Sequence, residues 1–334
     1  IVADASGKQL WRVKHGGKVN DIAMADLDGD GKAETICGVE DEHIYVYKPD
    51  GALLWKRYFE AYRSGGGREG WVRVLHVADF DGDGSPEVAA GCANTFTYVM
   101  DAQGDIKRVN DRDLTYSYLH SAAALGSADV NGDGQLELLT GYTYPARWVV
   151  DFTDTGKSRA CSFPGSIGGC FAIAAGDVDG DGKAEGIFGD SDGQLTAATK
   201  SEAGDAKAAI RWQRIIGDDM IVRLLADDYD GDGALDIIVA SRSGFLARLG
   251  ADGAPRWVRY ADNALTDAAL VPGEAALFAR SSSDGSVAVY DLSGEEAGRW
   301  QIGPSVERVA AGRGARPSIF AAVGQKLMVG VLGG

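Results

Sequence analysis

The sequence is poor in proline and cysteine and has no long apolar run. Its 334 residues include 8 prolines against 47 glycines, which suits many tight turns and no Pro-rich linker. The longest apolar runs are a handful of residues, far below the roughly 20 that cross a bilayer, so we expect no membrane insertion. Hydrophobic residues still make up 45% of the chain, enough to bury a substantial core. We therefore expect a soluble globular protein.

Basic residues are also scarce, because 33 Lys and Arg side chains face 49 Asp and Glu side chains, for a formal net charge of −16. Without a basic excess to neutralise phosphates, the composition argues against a nucleic-acid partner and an anionic membrane. The chain begins with Ile1 and has no basic-then-apolar leader, which is compatible with a removed signal peptide or a trimmed chain.

The four cysteines are Cys37, Cys92, Cys161 and Cys170. The last two flank a short segment at 162–169 that contains Gly and Pro. A local disulfide and a pair of reduced, half-buried thiols are both open there. No feature of the sequence pairs Cys37 with Cys92.

An acidic phrase recurs five times, at intervals of 48 to 53 residues. Its copies are ADLDGDGKAE at 25–34, ADFDGDGSPE at 78–87, ADVNGDGQLE at 128–137, GDVDGDGKAE at 176–185 and DDYDGDGALD at 227–236. A second phrase, a Gly-rich turn followed by a Trp-centred strand, occurs at Trp11, Trp55, Trp212, Trp257 and Trp300. The segments between them alternate or run apolar over short lengths, which is typical of strands. Four short strands per unit of about 40–50 residues predict the blades of a β-propeller.

The Trp-type outer strands near 11, 55, 107, 158, 212, 257 and 300 predict an all-β fold, a single propeller domain of seven four-stranded antiparallel blades, with six or eight as alternatives. The predicted blades are 18–58, 71–109, 120–161, 170–214, 221–259, 266–301, and 306–332 plus 9–14. The last blade has about three strands, and Gln9–Val13 would complete it, so that the two chain ends close one blade and leave no open sheet edge. Ile1–Asp4 also has strand character and competes with Leu327–Val331 for that pairing.

The spacing D-x-[DN]-x-D-G-x-x-[DE] places alternate carboxylates where a curled backbone brings them together. Gly at position 6 permits the sharp turn, the carbonyl at position 7 faces inward, and the carboxylate at position 9 closes the shell. Hard oxygen ligands in such a loop suit Ca²⁺, at about 2.3–2.6 Å, better than thiophilic metals. The alternatives are a solvated acidic turn, since Asp-Gly pairs are ordinary hairpin residues, and an EF-hand, whose closing Glu stands at position 12 between helices.

Five loops therefore carry predicted ligands for about five structural calcium ions. The side-chain ligands are Asp26, Asp28, Asp30 and Glu34 in loop 1; Asp79, Asp81, Asp83 and Glu87 in loop 2; Asp129, Asn131, Asp133 and Glu137 in loop 3; Asp177, Asp179, Asp181 and Glu185 in loop 4; and Asp228, Asp230, Asp232 and Asp236 in loop 5. The carbonyl ligands would come from Lys32, Ser85, Gln135, Lys183 and Ala234. Asn131 is expected to weaken loop 3 through the loss of one charge. The loops hold 19 of the 49 acidic side chains, so 30 acidic residues face 33 basic ones elsewhere, and an acidic glycan partner stays open.

These loops and their flanking strands resemble the FG-GAP/VCBS repeat family, the calcium-bearing blades of the integrin α-subunit propeller. The resemblance covers nearly all of the chain, and the calcium motif is eroded in the two units after Gly250. It implies calcium loops between the first and second strands of a blade, on one face of the disc, with ligands taken on the opposite face. The G-x-x-L-W phrases also resemble quinoprotein-type repeats, although nothing identifies a quinone site.

The loops expected on the opposite face are long and aromatic in the first three predicted blades. Aromatic rings beside Arg forks suit stacking on sugars and gripping acidic groups. The candidate ligand-binding residues are Tyr62, Arg63, Arg68, Arg112, Tyr116 and Tyr144, with ordinary loop decoration as the alternative. We expect Trp71 and Trp148 to pack within blades, and His76 to line the central channel as a structural residue.

The leading hypothesis is a calcium-stabilised, non-catalytic propeller that binds a glycan or a protein in an extracellular, periplasmic or cell-surface location. The alternative is a polysaccharide lyase or glycosidase, in which Arg112 or Arg63 would neutralise a uronate and His120, Tyr116 or Tyr118 would act as base. A third class is a structural piece of a larger surface protein. A monomeric module is expected in each case.

Overall fold

The computed structural model describes residues 2–3, 9–60, 69–110, 121–143, 147–150, 168–200, 208–271, 277–313, 317–323 and 326–331. All regular elements in these ranges are strands. In chain order they are β1 (Val2–Ala3), β2 (Gln9–Trp11), β3 (Val19–Ala25), β4 (Glu34–Val39), β5 (His43–Tyr47), β6 (Leu53–Tyr58), β7 (Val72–Ala78), β8 (Glu87–Cys92), β9 (Thr97–Met100), β10 (Ile106–Asn110), β11 (Ala122–Ala128), β12 (Glu137–Tyr142), β13 (Arg147–Val150), β14 (Cys170–Gly176), β15 (Glu185–Asp190), β16 (Gln194–Lys200), β17 (Ala208–Ile215), β18 (Ile221–Asp227), β19 (Asp236–Ser241), β20 (Phe245–Gly250), β21 (Pro255–Tyr260), β22 (Leu265–Val271), β23 (Leu277–Ser282), β24 (Ser286–Asp291), β25 (Glu296–Gln301), β26 (Arg308–Arg313), β27 (Pro317–Val323) and β28 (Lys326–Val331).

The strands form separate antiparallel sheets in which sequence neighbours pair. Four-stranded sheets are β3–β6, β7–β10, β14–β17, β18–β21 and β22–β25, and three-stranded sheets are β11–β13 and β26–β28. We call these seven sheets blades 1 to 7 in chain order. The prediction of four-stranded antiparallel propeller blades is confirmed, but within the described residues five blades have four strands rather than seven. The predicted outer strand of blade 3, near 158, lies outside those residues.

The amino-terminal strand differs from the prediction in its pairing. In the described residues β2 pairs with β1, through Val2 opposite Trp11, and not with β28. The reason is local: β1 and β2 are close in the sequence and form a hairpin at little entropic cost. Of the two strands predicted to compete for this pairing, the nearer one is bonded to β2.

The second strand of each of the first five blades is buried along its whole length, because both of its faces are covered. First strands of adjacent blades are joined by side-chain bonds. Asp21 accepts the Leu75 amide at 2.9 Å, linking blade 1 to blade 2, and Asp267 accepts the Val309 amide at 3.2 Å, linking blade 6 to blade 7. These bonds fix the first strands of the two neighbouring blades against each other.

Tryptophans in β2, β6, β17 and β21 each bond to the turn of the blade that follows. The Trp55 indole donates to the Ala102 carbonyl at 2.8 Å, and a Cβ on Gly104, whose φ is +80°, would lie 2.8 Å from the ring. Only glycine therefore fits beneath this ring. The same indole bond recurs from Trp11 to Pro49, from Trp212 to Ala251 and from Trp257 to Leu292.

Other features bear on the sequence expectations. No helix among the described residues is long and apolar enough to span a bilayer. Cys37 and Cys92 are buried free thiols, and burial raises the pKa of Cys37 to about 11. Cys161 lies outside the described residues, so a Cys161–Cys170 disulfide stays a prediction. His76 lies in the first strand of blade 2, where its Nε2 is 2.9 Å from the Ser127 hydroxyl.

Candidate metal centre

Each acidic loop joins the first strand of its blade to the second. The loops stand between β3 and β4, β7 and β8, β11 and β12, β14 and β15, and β18 and β19. Because the same connection is made in each antiparallel sheet, the five loops lie on one face of the disc. We call this the loop face.

The first aspartate of every loop is fixed by backbone amides. In loop 1, Asp26 Oδ1 accepts the amides of Gly29 and Asp30 at 2.8 and 3.1 Å, and Asp26 Oδ2 accepts that of Gly31 at 2.8 Å. Gly29 and Gly31 have φ of +74° and +84°, a region that disfavours other residues. The two glycine bonds recur on Asp79, Asp129, Asp177 and Asp228.

The closing carboxylate of loop 1 has an oxygen without a partner. Glu34 is fully buried, and its Oε2 accepts the Leu27 amide at 2.9 Å, whereas its Oε1 has no hydrogen-bond partner among the described residues. One oxygen from each of Asp26, Asp28 and Glu34 lies within 4.8 Å of the others. A buried, unsatisfied carboxylate oxygen is costly unless a cation meets it. Loop 1 therefore fits a hard divalent cation.

Loop 2 repeats this arrangement. Asp79, Asp81 and Glu87 bring one oxygen each within 4.8 Å, and Glu87 Oε2 accepts the Phe80 amide at 2.8 Å. Burial raises the pKa of Glu87, and repulsion from Asp81, Asp79 and Asp83 raises it further. A cation in this cluster would remove that repulsion.

Loop 3 has an amide in place of the second carboxylate. Asn131 Nδ2 donates to Glu137 Oε1 at 2.6 Å and to Asp133 Oδ2 at 3.2 Å. Its Oδ1 accepts the Asp133 amide at 2.8 Å. The amide NH₂ group is thus directed at two of the predicted metal ligands.

In loop 4, an arginine from the outer strand β17 contacts the cluster. Arg211 Nε lies 3.0 Å from Glu185 Oε1 and 2.9 Å from Asp179 Oδ2, and its Nη2 lies 3.2 Å from Asp181 Oδ2. The hydrogen bond with Glu185 raises the pKa of Arg211. Three of the four predicted side-chain ligands of this loop are therefore ion-paired to one guanidinium group.

Loop 5 has a comparable arginine from a different strand, β20. Arg248 Nε and Nη2 bond the two oxygens of Asp236 at 2.7 and 2.8 Å, and Nη2 also contacts Asp230 Oδ2. The hydrogen bond with Arg248 lowers the pKa of Asp230. Asp228, Asp230 and Asp232 bring oxygens within 4.8 Å of one another.

Sequence reasoning missed both arginines. Arg248 interrupts the otherwise apolar and buried strand β20, and a charge in such a strand needs a partner, which is the signal that could have revealed it. Arg211 directly precedes Trp212, at a position that holds Leu54 in blade 1.

The remaining predicted ligands have a defined backbone role. In every loop the amide of the position-7 residue donates to Oδ1 of the position-5 aspartate, as from Lys32 to Asp30 at 2.8 Å. Metal ligation by the carbonyls of these residues stays a prediction.

The predicted ligand-binding and catalytic residues lie outside the part of the chain that the structure describes. They are the candidate ligand-binding residues Tyr62, Arg63, Arg68, Arg112, Tyr116 and Tyr144, and the candidate catalytic residues Tyr118 and His120. Trp71 is 37% exposed at the start of β7, so it packs less completely than expected.

Comparison with known proteins agrees with the architecture. A family model described as FG-GAP-like repeat matches residues 26–90 and 129–188, which include loops 1 to 4. Together with the antiparallel blades, these matches support an FG-GAP repeat β-propeller.

Two relatives are BBSome complex member BBS2 of Rattus norvegicus and of Mus musculus, each 26% identical over 140 residues. The match covers 42% of this chain and 16% of either relative. Among solved structures, BBS1N in complex with ARL6DN has a TM-score of 0.67 at 12% identity, over 93% of this chain and 91% of that one. Sqt1 from Chaetomium thermophilum has a TM-score of 0.69 at 16% identity, over 96% of this chain and 85% of that one. At these identities the structures support the fold alone.

Proposed function

We propose that this chain is a calcium-stabilised β-propeller that binds a partner protein on the face opposite its loop face. The observation that carries the calcium role is the geometry of loop 1, where the buried Glu34 has an unpaired oxygen beside Asp26 and Asp28. Calcium would be structural: it would neutralise the converging carboxylates and fix the corner between the first and second strands of a blade.

The same proposal includes a closed ring of seven blades. Trp11 donates to the turn between β5 and β6 as Trp55 does to the turn of blade 2, so β2 holds the place of an outer strand preceding blade 1. Burial raises the pKa of Asp21, and the guanidinium groups of Arg308 and Arg223 oppose that rise. These charges come from blades 1, 7 and 5, which supports first strands arranged around a common centre.

The partner proposal rests on the fold and on charge. A propeller of similar fold, BBS1N, was crystallised in complex with ARL6DN. In the present chain, the described turns and connections opposite the loop face expose the carboxylates of Glu60, Glu69, Asp192, Asp218, Asp262 and Asp284. The basic residues in the described part of these connections are Arg12, Lys14, Lys18 and Arg242, of which Arg242 pairs with Asp219 at 2.9 Å. Arg63, Arg68 and Arg112, which the sequence assigns to the same face, lie outside the described residues. We therefore propose a partner with a basic surface.

The glycan-binding and lyase hypotheses stay predictions of the sequence, because their residues lie outside the described ranges. The extracellular, periplasmic or cell-surface location is likewise a proposal.

Thermal unfolding in calcium and in EGTA tests the calcium role. At 100 times the Kd, each ion adds about 2.7 kcal/mol, so Tm should fall by several degrees in EGTA and recover with calcium. Magnesium at the same concentration is the control and should restore less. An unchanged Tm in EGTA would contradict the calcium role.

Charge reversal tests the binding face. A triple variant, D192K/D218K/D262K, should lose a partner that the wild-type chain captures, and rising salt should weaken capture of that partner. The control D50K/D252K reverses exposed charges in turns on the loop face and should keep the partner. Loss by both variants, or by neither, would contradict the assignment of the face.

A further inference from the structure

The five acidic loops share one backbone turn but differ in what stands among their carboxylates. In loops 4 and 5 a guanidinium group contacts the ligand oxygens, and in loop 3 an amide NH₂ group does. In loop 1, the basic side chain that pairs with a predicted ligand among the described residues is that of Lys32. It is exposed and contacts Asp30, which is not one of the three converging carboxylates Asp26, Asp28 and Glu34. No ion pair to a loop 2 ligand occurs within the described ranges.

A guanidinium group and a calcium ion cannot both occupy the space between the same oxygens. Arg211 engages Asp179, Asp181 and Glu185, and only its own displacement would free them. Breaking the charge-assisted bond to the buried Glu185 weakens calcium binding by about 10-fold, and the partly exposed pairs with Asp179 and Asp181 add less. Arg211 is held in β17 and Arg248 in β20, so both reach the loops from packed strands rather than from mobile tails.

In loop 3 the Asn131 amide also hinders calcium binding, but less than the guanidinium groups of loops 4 and 5 do. Turning the Asn131 amide over would direct its oxygen at the centre, but it would also end the bond that its Oδ1 accepts from the Asp133 backbone. With one carboxylate fewer as well, loop 3 holds calcium more weakly than loops 1 and 2.

We propose that high-affinity calcium binding is confined to loops 1 and 2, and that Arg211 and Arg248 are built-in cations that replace calcium in blades 4 and 5. This inference depends on the proposed calcium role and gives it a stoichiometry of two ions in place of five. Calcium then controls the stability of blades 1 and 2, while in blades 4 and 5 the connection between the first and second strands is stabilised without calcium.

Equilibrium dialysis of the full chain against calcium, with bound metal counted per chain, tests this stoichiometry. The wild-type chain should bind two ions tightly. The double variant R211M/R248M should gain up to two more, with at least a 10-fold rise in affinity at those loops. The matched control R242M removes an arginine from an ion pair outside the loops and should leave the number at two.

A second variant keeps the test decisive if the arginine substitutions unfold the chain. D28N/D81N should abolish tight binding, because it removes a ligand from both loop 1 and loop 2. Four or five tight ions in the wild-type chain, or tight binding that survives in D28N/D81N, would overturn the inference and leave the calcium role intact. No bound calcium in any variant would overturn the calcium role itself.

Discussion

Loops 1 and 2 and loops 4 and 5 have nearly the same sequence and the same turn, and they lie on the same face of the propeller. In loop 4 Asp177, Asp179 and Glu185 converge as the carboxylates of loops 1 and 2 do. The contact that distinguishes loops 4 and 5 is a guanidinium group at their carboxylates, and no guanidinium contacts those of loops 1 and 2 within the described residues. The motif therefore determines the turn, because the backbone amides of its glycines donate to the side chain of its own first aspartate. The counterion is determined by a residue elsewhere in the blade.

The largest effect is expected from Arg248→Met. In the absence of metal, this substitution removes the ion-pair partner of the buried Asp236. Loss of one partner of a buried pair lowers the free energy of unfolding by about 3–5 kcal/mol. Denaturant unfolding in EGTA measures this loss, and calcium should restore part of it. The control Arg242→Met breaks an exposed pair and should cost about 0–1 kcal/mol. Equal losses in the two variants would contradict the role of Arg248 as an internal cation.

Acid should destabilise blade 2 independently of its calcium loop. Burial lowers the pKa of His76 from 6.5 to about 4, so the unfolded chain binds the proton first as the pH falls. The stability is complete above pH 6.5 and falls by up to about 3 kcal/mol as the pH drops to 4. Unfolding of His76→Gln across this range in EGTA should show a shallower slope. Ser127→Ala keeps the buried imidazole and should keep the wild-type slope; a steep slope in His76→Gln would refute the assignment.

Glu34→Gln and Glu185→Gln form a matched pair across the two regions. Glu34→Gln should lose about 2–3 kcal/mol of calcium stabilisation, yet be no less stable than the wild-type chain in EGTA, because it removes an unpaired buried charge. Glu185→Gln breaks the bond to Arg211 and should lose the same stability with and without calcium. A calcium-dependent loss in Glu185→Gln would show that loop 4 binds the ion.

The tryptophan contacts should contribute equally to the free energy of unfolding in the calcium-loop blades and in the arginine-loop blades. Trp55→Phe and Trp257→Phe each remove one indole hydrogen bond of 2.8 Å, at a cost of about 1 kcal/mol. Denaturant unfolding should give similar losses for both variants, in calcium and in EGTA. A loss that depends on calcium in either variant would mean that the loops control packing between blades as well as their own corners.

The strands and the loop positions were predictable, because they depend on local signals: alternation for the strands, and the D-x-D-G-D-G spacing for the turns. The burial of Glu34 follows from its place at the start of a second strand covered on both sides. The contacts between blades were also indicated by the repeated Trp and Gly phrases, since these residues form the indole bonds and the turns beneath the rings.

The charge balance of each loop was not predictable from spacing. Arg248 stands 12 residues after Asp236, and Arg211 stands 26 residues after Glu185, so both contacts require the strand register of the blade. The pairing of β2 also escaped prediction, because β1 and β28 both have the character of a partner strand and the alternation pattern does not weigh the short connection that favours β1.

Hydrogen exchange measured loop by loop, in calcium and in EGTA, is the most direct test of the difference between the regions. Calcium should slow exchange of the amides in 26–34 and 79–87 and leave those in 177–185 and 228–236 unchanged, since Arg211 and Arg248 already fix the latter. Equal protection of all four segments by calcium, or protection confined to 177–185 and 228–236, would contradict this account.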